Sequence, residues 1–359
     1  MKSIIVLGST GSIGVNTLKI AKRFGIEVEG LAAGGNVELL NAQIDACKPK
    51  FVAIGDKEKK HLVNHENIFC GDEGILEIIR RAKSQTVVNA LVGFSGVMPS
   101  LECMTLGKKL ALANKESLVV AGKFLDTDMI HPIDSEHFGL WYLQNDKAVN
   151  KLYITASGGA LRDWPVEAME TATVTDVLNH PNWSMGSKIT VDSATMVNKL
   201  FEIVEAKWLF KTSDIDALIE PKSIIHALIE FCDGSTTAHM ADVDMALPIA
   251  YALDEKIDNA ILRPIDLCQM GALQLEAISQ KRYPLWGLKQ LLLQNIDLGV
   301  VFNAANDLLV AQFLNKQISY SQLVRRLQET VYQYEDFSIH CSSDLQAAHT
   351  MIQKKLTWY

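Results

Sequence analysis

The chain has 359 residues, 48% apolar and 21% charged, an ordinary balance for a globular protein of two or three domains that excludes disorder and collagen-like repetition. Its 34 Lys and Arg against 42 Asp and Glu give a net charge of -8, and without a basic block for a phosphate backbone no nucleic-acid partner is expected. No apolar run approaches the roughly 20 residues that span a bilayer, and glycines interrupt the N-terminal stretch before a signal-peptide core of about 7 to 15 residues forms. We expect no membrane partner and a cytoplasmic location.

The cysteines show no CxxC or CxH spacing, so no zinc site is expected. We predict that they are reduced and that most are buried, as free cysteines usually are. The six are Cys47, Cys70, Cys103, Cys232, Cys268 and Cys341.

Residues 1–135 alternate short apolar runs with helix-length amphipathic stretches. The runs are IIVL, IEVEGLAA, FVAIG, IFCG, TVVNALVG, KLALAN and MIHPID. This alternation is typical of βαβ units and predicts a parallel sheet in a Rossmann-like domain.

The remainder of the chain shows different patterns. Residues 136–255 mix strand-like runs with one clear helix, SATMVNKLFEIVEAKWLF, which predicts an α+β domain. Residues 256–283 contain Arg263-Pro264 and Tyr283-Pro284 and are predicted to connect it to the next part. Residues 284–359 hold four helical patterns, which predict a C-terminal four-helix bundle. The predicted fold class is therefore α/β with three parts.

Three glycines, Gly8, Gly11 and Gly14, follow the strand IIVL and open the helix VNTLKIAKRFG. In this context a glycine pattern indicates a nucleotide site, because backbone N–H groups and the helix N-terminus can approach a pyrophosphate. The alternative is a tight turn that needs positive φ. At the end of the second strand, the stretch from Ala32 to Asn36 has no carboxylate, which favours NADP over NAD, although no Lys or Arg stands there to bind a 2′-phosphate.

Carboxylates occur in two places that suit a metal. Asp134 ends the run MIHPID and Glu136 lies two residues further on, and Glu202 shares a helix face with Asn198 and Glu205. Oxygen ligands without His or Cys favour Mg²⁺ or Mn²⁺, but from spacing alone solvated surface charge is an equal alternative.

The segment HPNWSMG lacks regular periodicity yet carries His180, Trp183 and Met185, which suggests a lid over a ligand; the alternative is a loop packed permanently on its own domain. Lys115 follows the sixth strand and is either a ligand contact or a surface lysine, whereas His226 beside an apolar strand indicates a satisfied core histidine. Donors suited to a phosphate occur at Ser157, Ser193, Asn198 and Lys199, although each serine alone is also typical of a cap or turn.

Together these residues resemble the 1-deoxy-D-xylulose 5-phosphate reductoisomerase family. The matching strings are GSTGSIG, AAGGN, LVGFSGVMPS, LANKESLV, PIDSEH, TASGGALRD, HPNWSMGSKITVDSATMVNK, PIAYAL, RYPL and NAAN. They extend from residue 5 to about 306, and the long central string is the most specific.

The resemblance implies a homodimer whose subunits each have an NADPH domain (1–135), a catalytic domain (136–255) with a flap (180–187), and a C-terminal helical domain (284–359). It implies nucleotide contacts at Thr10, Gly11, Ser12, Ile13, Gly34, Asn36, Asn114, Glu116 and Gly186. It implies metal ligands at Asp134, Glu136 and Glu202, with Lys115 beside them in catalysis. It implies substrate contacts at Lys115, Ser135, Glu136, Ser157, His180, Trp183, Ser193, Asn198, Lys199 and Glu202.

The implied reaction converts 1-deoxy-D-xylulose 5-phosphate, a phosphorylated sugar, to 2-C-methyl-D-erythritol 4-phosphate, with NADPH and Mg²⁺ or Mn²⁺. Two departures from the family pattern stand out: Gly35 replaces a usual Lys or Arg, and Leu200-Phe201 replaces Gly-Leu without changing the spacing. Glu205 has no metal role in the family and is expected to be structural. The alternatives are an NADP-dependent dehydrogenase of another small phosphorylated substrate and a nucleotide-sensing protein without turnover.

Overall fold

The computed structural model describes residues 2–254 and 256–357. The chain divides into two compact units, each built from separated segments. The first unit comprises Met1–Ser117, Lys123–Phe138 and Asp244–Arg263, and the second comprises Leu118–Gly122, Gly139–Val243 and Pro264–Tyr359.

A seven-stranded parallel sheet forms the centre of the first unit. The strands are β1 (Ser3–Leu7), β2 (Glu27–Ala33), β3 (Phe51–Ile54), β4 (Ile68–Cys70), β5 (Thr86–Asn89), β6 (Lys109–Leu112) and β7 (Ile130–Pro132). Their order is β4-β3-β2-β1-β5-β6-β7, so the direction of winding reverses between β1 and β5. The seven predicted apolar runs are confirmed as strands. Such runs are needed because a parallel sheet is buried on both faces, as the four buried residues of β1 illustrate.

The helices between these strands are Ser12–Arg23, Val37–Cys47, Gly71–Arg81, Val97–Thr105 and Lys115–Ala121; Ser135–Leu143 follows β7, and Ala246–Leu253 comes later in the chain. The last helix packs Ile249, Ala250 and Leu253 into the same apolar core as β1 and β2. It therefore belongs to the first unit, whereas the predicted bounds assign residues 136–255 to the catalytic domain. Sequence periodicity identifies an apolar helix face but not the core that it joins.

A mixed five-stranded sheet organises the second unit. Its strands are β8 (Val149–Ala156), β9 (Ile215–Ile219), β10 (Ile225–Phe231), β11 (Thr236–Met240) and β12 (Glu276–Ala277). The order is β11-β10-β8-β9-β12, with only β8 and β9 parallel. Its helices before the C-terminal region are Val174–Leu178, Ser187–Thr195, Val197–Phe210 and Leu267–Met270.

The four predicted C-terminal helices are confirmed at Lys289–Gln294, Leu298–Leu314, Tyr320–Gln333 and Leu345–Thr357. One apolar cluster joins them to the mixed sheet, since it includes Ile154 of β8 and Phe201 together with Phe302 and Leu327. The helical region thus shares its core with the sheet. No helix in the described part of the chain is both long and apolar enough to cross a membrane.

Two expectations are wrong. The single helix predicted from Ser193 is two helices, because Met196 adopts a left-handed conformation (φ 68°) that ends Ser187–Thr195 and precedes Val197–Phe210. The cysteines are free but not mostly buried. Only Cys103 is fully buried, and Cys232, Cys268 and Cys341 are exposed.

Candidate active site

The glycine loop lies at the carboxyl end of β1, where the winding of the sheet reverses. The N–H groups of Gly8 and Ser9 both donate to the carbonyl of Ala32, at 2.9 Å each. Gly8 has φ +79°, and a Cβ on Gly14 would lie 2.3 Å from the Gly8 carbonyl oxygen. The turn interpretation is therefore correct for Gly8, whereas Gly14 lies in the helix without positive φ and is required by the close approach of the Gly8 backbone. It does not exclude a nucleotide, because the turn presents the start of a helix.

That helix, Ser12–Arg23, begins at Gly11 without a side-chain cap and has no acidic residue in its first turn. Gly11 and Ser12 are exposed, and a Cβ on Gly11 would meet only the Gly8 carbonyl oxygen, at 3.4 Å. The N–H groups of this end are suited to a pyrophosphate, which also gains from the positive end of the helix dipole. The cradle therefore fits a dinucleotide. Thr10 and Ile13 lie on either side of it, half-buried.

The end of β2 carries the predicted contacts Gly34 and Asn36. Gly34 is exposed, and no atom lies within 4 Å of the position a Cβ would take. The Asn36 side chain accepts a hydrogen bond from the Leu39 N–H at 3.2 Å and caps Val37–Cys47. The stretch itself has no cation, as its sequence indicates, but the Lys59 ammonium reaches the Gly35 carbonyl from the loop after β3. Sequence analysis missed it because 24 residues separate the two positions.

Asn114 and Glu116 follow β6 and are almost fully buried. The Asn114 amide donates to the carbonyls of Leu91 and Gly93, each at 3.0 Å, and Glu116 accepts from the Gly93 N–H at 3.1 Å. Both side chains therefore hold the loop that follows β5. Gly186 belongs to the second unit, where it is the exposed residue preceding Ser187–Thr195.

Two of the predicted metal ligands follow β7 in the first unit. The Lys115 ammonium lies 2.7 Å from Asp134, and both side chains are largely buried. Glu136 accepts a hydrogen bond from the Ser135 hydroxyl at 2.8 Å. An ammonium held against a carboxylate at the carboxyl edge of a parallel sheet lies where such sheets bind their ligands.

The third predicted ligand, Glu202, lies in the second unit on the helix Val197–Phe210. It is 1% exposed and contacts the Asn198 amide and the Lys199 ammonium, itself 3% exposed. A buried ion pair is costly and adds little net stability, so its presence points to chemistry rather than to folding. The chemistry of the donors fits Mg²⁺ or Mn²⁺, since Asp134, Glu136 and Glu202 offer only hard carboxylate oxygens.

The residues predicted for a phosphate lie on two segments of the second unit that meet at Gly159 and Ser193. Asn198 and Lys199 lie in the first turn of Val197–Phe210, which has no acidic residue there. Gly159, two residues after Ser157, packs against the end of the preceding helix: a Cβ on it would lie 2.8 Å from the Ser193 carbonyl oxygen. Hydroxyl, amide and ammonium donors beside a helix N-terminus suit an anion.

The protonation state of His180 determines what Ser157 can do. The Nδ1 atom of His180 accepts hydrogen bonds from the N–H groups of Asn182 and Trp183, at 3.2 and 3.0 Å, so Nε2 carries the proton. Nε2 lies 3.0 Å from the Ser157 hydroxyl oxygen, which also accepts from the Gly159 N–H at 3.1 Å. With both lone pairs engaged, the Ser157 hydroxyl proton is directed to another acceptor. Burial and, to a smaller extent, the Arg162 charge lower the pKa of His180 from 6.5 to about 4.

The loop predicted as a flap packs against its own unit. The Asn182 amide donates to the Pro221 carbonyl at 2.8 Å and to the Ser223 hydroxyl at 2.7 Å. The Trp183 ring meets His226 edge-on, with centroids 6.4 Å apart. His226 is buried, and its Nε2 lies 3.2 Å from the Ala241 carbonyl oxygen, which confirms the core-histidine interpretation.

Two residues that support the Ser157 loop were missed. Arg162 donates to the carbonyls of Ser157 and Pro221, at 2.8 and 3.0 Å, and the Tyr283 hydroxyl donates to the Gly158 carbonyl at 2.8 Å. Both lie within strings that carried the resemblance, TASGGALRD and RYPL. The resemblance of those strings to the family was the one signal that pointed to these residues. The strings do not show which backbone groups the two side chains contact.

The first unit has the fold and the glycine loop of the dinucleotide-binding α/β proteins. Three family models match successive parts of the chain: 1-deoxy-D-xylulose 5-phosphate reductoisomerase over residues 4–122, its C-terminal domain over 130–210, and the DXP reductoisomerase C-terminal domain over 240–355. The chain therefore belongs to the 1-deoxy-D-xylulose 5-phosphate reductoisomerase family.

Individual relatives agree. The 1-deoxy-D-xylulose 5-phosphate reductoisomerase of Nautilia profundicola is 54% identical over 350 residues, 95% of this chain and 96% of the relative. The 1-deoxy-D-xylulose 5-phosphate reductoisomerase of Helicobacter pylori is 51% identical over 347 residues, which are 95% of this chain and 94% of the relative. A solved DOX-P reductoisomerase in complex with NADPH, fosmidomycin and magnesium superposes with a TM-score of 0.93 at 30% identity, covering 100% of this chain and 98% of that one. The structure of the Zymomonas mobilis enzyme in complex with NADPH superposes with a TM-score of 0.85 at 29% sequence identity. The match covers 99% of this chain and 97% of that one.

The glycine loop provides a matched pair of substitutions. Gly14→Ala places a Cβ within 2.5 Å of the Gly8 and Ser9 backbone, which cannot move aside cheaply. We expect a loss of about 1 to 3 kcal/mol or more in the free energy of unfolding. Gly11→Ala, at an ordinary extended φ of −79°, should change it by less than about 0.5 kcal/mol. Denaturant unfolding checks both, and equal effects would contradict the packing argument.

The pKa of His180 predicts a pH dependence. Because its folded value is about 4, the unfolded chain binds a proton that the folded chain does not between about pH 6.5 and 4. The stability contributed by neutral His180 is thus complete above pH 6.5 and declines as the pH falls towards 4. We expect His180→Gln to reduce the acid-side fall of the thermal midpoint over this range. Parallel pH profiles of the two proteins would refute the assignment.

Proposed function

We propose that this protein catalyses the NADPH- and divalent-metal-dependent conversion of 1-deoxy-D-xylulose 5-phosphate to 2-C-methyl-D-erythritol 4-phosphate, a step of non-mevalonate isoprenoid synthesis. The observation that carries the proposal is that three models of this one family match nearly the whole chain in succession. Relatives that share its name are more than 50% identical along 95% of the chain.

For the nucleotide, we propose that the loop of Thr10, Gly11, Ser12 and Ile13 binds the pyrophosphate through backbone N–H groups. Gly34 and Asn36 would contact the adenosine ribose, and Gly186 is also proposed as a cofactor contact. Asn114 and Glu116 would act through the loop after β5 that they hold. NADPH supplies the hydride of the reductive stage.

For the metal, we propose that Asp134, Glu136 and Glu202 supply the ligands. When bound, the divalent ion stabilises negative charge on the substrate oxygens as a Lewis acid. Lys115 is already held at 2.7 Å from Asp134. Its ammonium would donate to an oxygen that becomes negative as the carbon skeleton rearranges, with Ser135 as a neighbouring substrate contact.

The substrate phosphate would be bound by Ser157, Ser193, Asn198 and Lys199. The hydroxyl proton of Ser157 is directed outward because His180 and Gly159 occupy its lone pairs. Lys199 and Asn198 stand at a helix N-terminus, where the backbone adds favourable charge. A bound phosphate group would fix the position of the reacting carbons of the substrate. Trp183, in the loop 180–187, would exclude water from them.

The direct test is the loss of reduced-nicotinamide absorbance with 1-deoxy-D-xylulose 5-phosphate and Mg²⁺ or Mn²⁺, run with NADPH and NADH and repeated with a chelator. Metal-dependent oxidation of NADPH is expected. Oxidation that continues in chelator would favour the alternative, a metal-independent dehydrogenase, which family membership does not support. Absence of oxidation by folded, metal-loaded protein would overturn the proposal.

We also propose a homodimer and a cytoplasmic location. The homodimer is implied by the family resemblance. Light scattering of the purified protein measures the oligomeric state.

Glu202→Gln separates the metal role from folding. Losing the carboxylate charge should lower turnover on the order of 100-fold and raise the metal concentration for half-saturation by at least about tenfold. It also leaves Lys199 without its buried counter-charge, so thermal unfolding must be measured in parallel. NADPH affinity is the internal control and should change little. Wild-type turnover with unchanged metal saturation would refute the assignment.

Trp183→Ala tests the loop. Removal of the indole deletes apolar surface worth roughly 1.5 to 3 kcal/mol when fully buried; we expect KM for the sugar phosphate to rise about tenfold, with a smaller change in kcat. Trp183→Phe keeps an aromatic ring against His226 and should retain most of the affinity. If alanine leaves both constants unchanged, the loop is only a permanently packed segment.

A further inference from the structure

The end of β2 presents an unusual surface for a nucleotide with a 2′-phosphate. In this fold the adenosine ribose lies beside the end of the second strand, where a carboxylate selects NAD and a nearby cation accommodates NADP. Here Ala33, Gly34, Gly35 and Asn36 provide neither. Recognition of the phosphate must therefore come from another part of the first unit.

The loop after β3 is fixed against this strand end by backbone hydrogen bonds. The N–H of Gly55 donates to the Ala33 carbonyl at 2.8 Å, and the N–H of Asp56 donates to the Gly34 carbonyl at 2.9 Å. Asp56 then caps the short 3-10 helix Lys57–Leu62 by accepting from the Glu58 N–H at 3.1 Å. The position of this helix is therefore set by the pairing of β2 with β3.

This arrangement places the Lys59 ammonium beside the backbone of Gly35. Its Nζ donates to the Gly35 carbonyl at 3.2 Å and lies 3.3 Å from an Asp56 carboxylate oxygen. A Cβ on Gly35 would be 3.3 Å from the same Nζ. The ammonium thus occupies space that a side chain of residue 35 would enter, and at 46% side-chain exposure a ligand can reach it.

We infer that Lys59 recognises the 2′-phosphate of NADPH, in place of a cation on residue 35. The inference rests on the proposed NADPH-dependent function. An ammonium has three N–H donors. Two are directed to Gly35 and Asp56, which orient the side chain, and the third serves a phosphate oxygen. The missing side chain at Gly35 leaves the approach open.

The test measures nucleotide binding, independently of turnover. We would titrate NADPH and NADH by the fluorescence of the reduced nicotinamide, and adenosine 2′,5′-bisphosphate and 5′-AMP by calorimetry. Lys59→Gln should weaken NADPH and the bisphosphate about tenfold, the scale of one charge-assisted hydrogen bond at a partly exposed site. NADH and 5′-AMP should be unaffected. The difference between the two nucleotides should shrink at high salt.

Three variants control the experiment. Lys57→Gln removes the same charge from the same 3-10 helix, but the Lys57 side chain lies against Gly71 beyond β4, so no selective effect is expected. Lys59→Arg keeps the charge and should retain the NADPH preference. Gly35→Lys in the Lys59→Gln protein should restore it, because the backbone at residue 35 accepts a side chain without positive φ.

The outcomes separate the inference from the function on which it rests. Equal weakening of NADPH and NADH by Lys59→Gln, or no weakening, would overturn the role of Lys59 while leaving the NADPH proposal intact. A wild-type preference for NADH that Asp56→Asn abolishes would instead assign this surface to Asp56 and a 2′-hydroxyl. Failure of the wild-type protein to bind either nucleotide would overturn the proposed function itself.

Discussion

The common direction of the strands in the first unit is the constraint on which its chemistry depends. Because β1 to β7 all run parallel, the residues that follow them emerge at one edge. Gly8, Gly34, Asn114 and Asp134 each follow a different strand, yet all stand at that edge. The sheet order brings together residues more than 120 positions apart in the chain. Asn114, which donates to the Gly93 carbonyl, and Glu116, which accepts from the Gly93 N–H, then fix the loop after β5.

The second unit has a different constraint, because it contains oppositely charged side chains that are buried at the proposed substrate site. Glu202 and Lys199 are almost completely buried, and each compensates the charge of the other, with Asn198 as an additional donor. Desolvating two such groups costs several kcal/mol per ion, and a well-packed apolar pair would serve stability as well or better. The left-handed turn at Met196 is part of the same arrangement, because it creates the new helix N-terminus beside which Asn198 and Lys199 stand.

Features with a local physical signal were predictable. Apolar runs identified the seven strands, glycines after a strand identified the loop, and helical periodicity identified the four C-terminal helices. Features set by tertiary contact were not. The break at Met196 leaves the apolar spacing on both sides intact, the helix Ala246–Leu253 joins a core built by residues more than 100 positions earlier, and Lys59 reaches Gly35 only because β2 pairs with β3. Likewise, Cys232 and Cys341 are exposed outside helices and strands and Cys268 is exposed on a four-residue helix, and segments this short carry no periodic signal.

The net charge of the protein illustrates the same division between global and local properties. A chain of charge -8 repels anions at long range, yet its proposed ligands are a dinucleotide and a sugar phosphate. At physiological ionic strength the Debye length is about 8 Å, so distant charges are largely screened while contacts near 3 Å are not. Affinity must therefore come from groups within hydrogen-bond reach: the uncapped start of Ser12–Arg23, the first turn of Val197–Phe210 and single ammonium groups such as Lys59. Selectivity between anions then depends on which of these groups one ligand can contact at the same time. The fold determines this, because it sets the distances between the groups.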